Sequence, residues 1–443
     1  MEEKKKTLGV QGLLATTAVA VLWLSSLAVS TEQTNQKELR FGVKGEFKIL
    51  QVADMHYADG KTTPCKDVLP SQMAGCSDLN TTAFLNRMIL AEKPDLIVFT
   101  GDNIYAHDAT DAASSLDAAF APAISSGIPW AAVLGNHDQE SALSREGVMK
   151  HIVTLNNTLS QVNPPGADAL DGFGNYNLEV HGFEGSGFEN KSVLNLYFLD
   201  SGDYSTVHAI SGYGWIKPSQ QVWFERTSVE LQRAYMSEPE AQEAPAPGLV
   251  YFHIPVPEYA SVNSSNYTGV NQDGISSPRV NSGFFTTMVE AGDVKAVFTG
   301  HDHLNDFCGE YTGIQLCYGG GFGYHAYGKA GWSRRARVVV ATLQKTDEGS
   351  WGPLMSIKTW KRLDDENLTT IDVQVLWSNG TTEVGSPVGA PTASEGPSGM
   401  TPGSLLSPAV SPAPMTGNTG DCASRSTLLL VAGLGATILR AFF

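Results

Sequence analysis

Five short apolar runs in this chain end the same way, and that coincidence restricts the fold more than any other feature. ILQVA stops at Asp54, with His56 two residues on. LIVFTG stops at Asp102 and Asn103, AAVLG at Asn136, His137 and Asp138, LVYF at His253, and AVFTG at His301, Asp302 and His303. The runs are rich in β-branched and aromatic residues and too short for self-standing helices, so they read as buried strands. In open α/β sheets the loops at the carboxyl ends of strands face one crevice, and ligands sit there. Gly101, Gly135 and Gly300 stand just before the polar residues, where glycine lets the backbone turn tightly toward a shared centre. Two acidic oxygens, an amide oxygen and several imidazoles form a borderline N/O donor set suited to Zn, Fe or Mn.

The rest of the chain from about Leu39 to Trp377 supports the same architecture. Further strand-like runs occupy 193–199 and 336–343, and segments 81–93, 111–126, 141–155, 218–235 and 283–291 have helical spacing or composition. Strand–helix alternation of this kind predicts an α/β domain with mixed or parallel sheets. Segments 237–248 and 257–281 read as surface loops. With 42% hydrophobic residues the chain can fill a sizeable core. Its net charge of −17 excludes broad nucleic-acid binding, for which a basic face is required. A phosphorylated substrate stays compatible, because bound metal supplies local positive charge. There is no Gly-x-Ser-x-Gly elbow and no phosphate-binding P-loop, and the run Gly319–Gly323 lacks the dinucleotide spacing.

The ends of the chain read as targeting segments. Residues 1–30 carry Lys4, Lys5 and Lys6 ahead of an apolar stretch, as in a signal peptide or an uncleaved signal anchor. The domain proper is expected over 39–380. Residues 385–420 form a Pro/Ser/Gly-rich linker, and 421–443 a hydrophobic tail that reads as a glycolipid (GPI) anchor signal. Membrane attachment through either end, on a secretory route to the exterior, cell surface or vacuole, is the corresponding expectation. Cys65 with Cys76 and Cys308 with Cys317 are the simplest disulfide pairs, and sequons begin at Asn80, Asn156, Asn190, Asn263, Asn266, Asn367 and Asn379.

Taken singly, an Asp-x-His pair or a lone histidine after a strand is ordinary. The series Asp-x-His, Gly-Asp-Asn, Gly-Asn-His-Asp, a lone His and Gly-His-x-His, in that order, resembles the calcineurin-like metallophosphoesterases. QVADMHYADG, DGFGNYNL, YFLDSGDYS and CYGGGFGYHAYGKAGW are similar to the plant-type purple acid phosphatase-like branch, some of whose members are labelled inactive. The resemblance spans Lys44–Asn379 and implies a four-layer α/β/β/α sandwich with two metal ions, Fe, Zn or Mn. It implies a phosphomonoesterase using a bridging hydroxide, with a phosphodiesterase or an inactive surface binding protein as alternatives. Carried over by residue, Asp54, His56 and His303 would hold one metal, and Asn136, His253 and His301 the other. Asp102 would bridge them, and His137 would stabilise phosphate or donate a proton. Purple members have Gly in place of His56 and a tyrosinate at the position of Tyr105. This chain has both residues, competing for one metal; His56 fits the wider superfamily, with Tyr105 as a packed aromatic. The segment 319–328 either shapes the substrate pocket, with His325 or Arg334 near phosphate, blocks it, or packs as a turn on the sheet edge.

Overall fold

The computed structural model describes residues 38–380, position 168 excepted. The expectations for the signal segment, the linker, the anchor tail and Cys422 lie outside the described residues. Among those described, no helix is long and apolar enough to cross a membrane.

Strands are numbered along the chain. One sheet contains Glu46–Val52 (β2), Leu96–Thr100 (β3), Trp130–Val133 (β4), Arg335–Lys345 (β12), Trp351–Leu363 (β13) and Thr370–Ser378 (β14), in the order β14-β13-β12-β2-β3-β4. The other contains Leu39–Arg40 (β1), Tyr176–His181 (β5), Ser192–Phe198 (β6), Gly248–Tyr251 (β7), Tyr267–Thr268 (β8), Val294–Thr299 (β9), Cys308–Tyr311 (β10) and Ile314–Tyr318 (β11). Its order is β1-β5-β6-β7-β9-β11-β10-β8. Strands β2, β3 and β4 run parallel, as do β6, β7, β9 and β11.

Side-chain alternation explains why both sheets are covered on both faces. Ile49, Val98, Val133, Leu196, Leu249, Phe298, Val339 and Ala341 point into one core shared by the two sheets. Their neighbours Leu50, Val52, Ile97, Phe99, Ala132 and Val338 meet helices Asp78–Glu92 (α1), Ala112–Ser126 (α2) and Arg145–Ile152 (α3). On the far side Tyr197, Val250, Phe252 and Val297 meet Pro218–Met236 (α4) and Phe284–Ala291 (α5). The layers are therefore α/β/β/α. Caps set the helix starts: Ser77, Asp111 and Ser144 each accept a backbone N–H from the first turn of α1, α2 and α3. The Ser144 cap starts α3 later than the expected 141.

Polar groups join the sheets near the carboxyl edge. Gln51 on β2 donates to Thr100 Oγ1 at 3.2 Å and to the Thr299 carbonyl at 3.0 Å. Asp306, after β9, is fully buried and meets Arg335 Nη1 at 2.5 Å and Lys361 Nζ at 2.7 Å, both from the opposite sheet. Disulfides link Cys65 to Cys76 and, across β10 and β11, Cys308 to Cys317.

Candidate metal centre

All five polar strand ends meet at one edge: β2, β3 and β4 deliver Asp54, Asp102 and Asn136, and β7 and β9 deliver His253 and His301. Two groups of buried donors result, each with ligand atoms within 4.8 Å of one another: Asp54, His56, Asp102 and His303, and Asp102, His253 and His301. Asp102 belongs to both. Its Oδ2 lies 3.1 Å from His253 Nε2 and 3.4 Å from His56 Nε2, while Asp54 Oδ1 lies 3.5 Å from His303 Nε2.

The local backbone is bent to achieve this. Asp54 (φ 58°), His56 (46°), Asp102 (47°) and His301 (80°) are all left-handed, a conformation that costs non-glycine residues about 1–3 kcal/mol each and clusters at functional sites. Of the three preceding glycines only Gly101 has a positive φ, 86°. The other two are needed for space. A side chain at position 135 would overlap the Asp102 carboxylate, and a Cβ at position 300 would lie 2.7 Å from Asp54 Oδ2. Backbone donors then fix the carboxylates: His137 N–H to Asp102 Oδ1 at 2.8 Å and His301 N–H to Asp54 Oδ1 at 2.9 Å. Asp138 accepts from Gly135 N–H at 2.7 Å and Ile104 N–H at 3.0 Å, and Asn103 Nδ2 reaches it at 3.2 Å. Asn103 and Asp138 thus lace two of the loops together.

Several imidazoles have one nitrogen engaged by the protein. His253 Nδ1 is 2.9 Å from the Thr100 carbonyl, and His303 Nδ1 is 2.9 Å from the Tyr327 carbonyl. A carbonyl only accepts, so each Nδ1 carries a hydrogen and Nε2 is the nitrogen turned toward a metal.

The cluster fits cations. Asp54 Oδ2, His56 Nε2, Asn136 Oδ1 and His301 Nε2 are buried without a partner in hydrogen-bond geometry. Each such atom costs about 1–3 kcal/mol, and four from neighbouring loops are accounted for together by ions among them. Protonation states agree except at His253, whose Nε2 proton an entering ion would displace. Burial pushes His56 down to about 4 and His301 down to about 3, so both are neutral donors at pH 7. Burial opposes ionisation of Asp54 and Asp102, but the neighbouring imidazoles, led by His303 and His253 respectively, overrule it. Both carboxyls are held below their ordinary value, Asp102 well below. His253 is pushed down by burial and, more strongly, up by Asp102 and Asp54, to about 9.

His137 stands beside the cluster. Its Nδ1 is 2.7 Å from Glu140 Oε2, and its ring centroid is 5.2 Å from that of His56. Tyr105 is half-buried, with its ring stacked 5.5 Å from His56 and tilted at 55° to His137, 4.8 Å away. Burial and the carboxylates of Glu140, Asp108 and Asp102 raise its phenol above the ordinary value.

The residues considered for phosphate are turned to other partners. His325 spends Nδ1 on the Pro64 carbonyl at 2.9 Å and Nε2 on Asp108 Oδ2 at 3.0 Å. Arg334 donates to the carbonyls of Tyr327, Lys66 and Ala326 at 2.8–3.0 Å and ties the Gly-rich segment to the loop after Pro64. That segment packs against the metal loop: Phe322 and Gly323 donate to the Ala53 and Asp54 carbonyls at 3.0 Å each. Any side chain at position 323 would overlap the Met55 carbonyl.

Reading motifs did not reveal Tyr327, Glu140, Tyr204 or Tyr213. Tyr327 stacks on His303 at 3.8 Å and accepts its N–H at 3.0 Å. Tyr213 stands edge-on to His301 at 4.5 Å.

A two-sheet sandwich with such a cluster across the carboxyl ends of parallel strands is the frame of a metallophosphoesterase. The chain belongs to the calcineurin-like phosphoesterase family, whose model matches residues 47–305. Among its relatives, a protein of Arabidopsis thaliana named probable inactive purple acid phosphatase 29 is 64% identical over 82% of this chain and 92% of its own. Another from the same plant, named probable inactive purple acid phosphatase 14, is 54% identical over 86% of this chain and 96% of its own. Among solved structures, a dimetal phosphatase from Danio rerio superposes with a TM-score of 0.46 at 15% identity, covering 75% of this chain and 99% of its own.

Proposed function

We propose that the chain is a metal-dependent phosphoric ester hydrolase acting on monoesters at a dinuclear centre. The observation that carries this reading is Asp102, shared by two otherwise separate donor groups. Asp54, His56 and His303 would hold one ion and Asn136, His253 and His301 the other. Fe, Zn and Mn all accept such donors. Two ions, when bound, supply Lewis acidity for the phosphoryl oxygens and an activated water.

The chain's own residues do the rest. Asp102 is positioned by the His137 N–H, so the bridging group cannot rotate away from either donor set. His137 Nδ1 gives its hydrogen to Glu140, which leaves Nε2 as the nitrogen offered to a phosphoryl or leaving-group oxygen. Tyr327 holds His303 by stacking and by two hydrogen bonds. His325 and Arg334 act one layer back, by fixing the loops that carry Tyr105 and Tyr327.

The word inactive in the relatives' names favours a second reading, a binding protein that keeps the centre without turnover. Hydrolysis of p-nitrophenyl phosphate and of its bis-ester by the Zn- or Mn-loaded chain separates the two. Chelator-sensitive turnover, faster on the monoester, is expected. A folded, metal-loaded protein that cleaves neither would leave the binding reading standing.

The route of the protein belongs to the same proposal. Two disulfides favour an oxidising compartment. All seven sequon asparagines are exposed, so glycans could be carried without disturbing the fold.

A further inference from the structure

The aromatic residues beside the second donor group form a stepped wall. Tyr213 meets His301 edge-on at 4.5 Å, and Tyr204 stacks on Tyr213 at 5.5 Å with an interplanar angle of 22°. Tyr213 thus backs one side of Tyr204, and the residue is nonetheless 48% exposed.

The wall is held firmly. Residues 204 and 213 pair as an antiparallel bridge, Ser205 N–H donates to the Gly212 carbonyl at 2.8 Å, and Gly214 N–H donates to the Asp203 carbonyl at 2.6 Å. Asp203 accepts from Gln139 Nε2, and Gln139 Oε1 accepts from Arg145 Nη1 at 2.6 Å. Arg145 in turn grips Asp200 at 2.5–3.0 Å, at the end of β6. The turn is thus anchored to the same strand edge as the metal donors. Its electrostatics narrow the choice of ligand. The phenol of Tyr204 faces Asn136, and Glu140 and Asp203 are its neighbouring carboxylates. A polyphosphate chain laid along this wall would be repelled, whereas an uncharged ring would not.

We infer that Tyr204, backed by Tyr213, is the leaving-group subsite, and that the preferred substrates are aryl phosphate monoesters whose ring is joined directly to the ester oxygen. The inference rests on the phosphomonoesterase reading above. Tyr213 touches His301, so the wall begins at the second donor group itself. A nucleoside monophosphate would place its sugar there and carry its base beyond Tyr204.

The test measures binding of non-hydrolysable phenylphosphonate and methylphosphonate to the full chain loaded with Zn, by titration calorimetry, with inorganic phosphate reporting that the centre is intact. One aromatic contact of this kind is worth about a three- to tenfold change in affinity. The wild type should favour phenylphosphonate by that factor, Tyr204→Ala should erase the preference, and Tyr204→Phe should keep it. Phenyl phosphate should be a better substrate than adenosine 5′-monophosphate. Equal affinity for the two phosphonates in the wild type, or a preference that survives Tyr204→Ala, would overturn the inference. If both phosphonates bind with the expected preference but neither phenyl phosphate nor p-nitrophenyl phosphate is cleaved, the hydrolase reading and the leaving-group role fall, and Tyr204 is left as part of an aryl-phosphate binding site. If neither phosphonate binds while inorganic phosphate does, the inference falls, and turnover of p-nitrophenyl phosphate decides the hydrolase reading separately.

Discussion

At His56 the side chain and the backbone have opposite interests. The imidazole is buried beside Asp102, while φ is 46°, a region that glycine enters freely and histidine does not. His56→Gly should therefore change the stability of the metal-free chain by less than about 1 kcal/mol, since relief of strain offsets lost packing. Metal affinity should fall at least ~tenfold. Urea unfolding and metal titration would read the two effects, and unchanged affinity would remove His56 from the donor set. Donors of this kind were legible in the sequence because each follows its strand at a fixed short spacing. Tyr327, Glu140 and Tyr204 were not, because no spacing marks them. Tertiary contacts alone bring an aromatic from a Gly-rich segment onto His303, or a turn beyond β6 onto His301. For His325 and Arg334 the sequence leaves a place near phosphate and a turn packed on the sheet edge both open, and their hydrogen bonds run to Asp108 and to backbone carbonyls.

Among the elements, the central strands and most helices were legible within a few residues, since apolar runs bounded by turns are a strong local signal. The hairpin β10–β11 and strands β13 and β14 were not anticipated. β13 alternates buried with more open residues, β14 buries only Leu376, and both carry charges that only the fold explains. Lys361, on β13, is fully buried because it meets Asp306 from the other sheet and Asp372 at 2.6 Å. Burial alone would raise the Asp306 carboxyl, but Lys361 and Arg335 more than reverse this and hold it below its ordinary value. The sign follows. A carboxyl lowered on folding contributes stability that is complete above its unfolded pKa, about 3.9, and is lost as pH falls through the lower folded value. Asp306→Ala leaves Arg335 without its carboxylate, and it should cost ~3–5 kcal/mol at pH 7. The gap to wild type should shrink below about pH 4. Chemical denaturation at pH 7 and pH 3.5 would check this; an equal gap at both would show that the ion pair is not the cause.

For the whole molecule, the architecture explains why one site needs both sheets. β2, β3 and β4 supply the carboxylates and Asn136, and β7 and β9 supply His253, His301 and His303, so neither sheet holds a complete set of donors. Gln51 and Asp306 fix the two sheets to each other next to that edge, and Asp102 is where the two donor groups join. The measurement that tests this account most directly is the metal content and p-nitrophenyl phosphate turnover of Asp102→Asn beside wild type, both loaded with Zn and freed of excess metal. The amide is close in size to the carboxylate but removes the charge that two cations would share. Loss of bound metal together with loss of turnover is the predicted result. A variant that keeps wild-type metal content and turnover would contradict the shared centre.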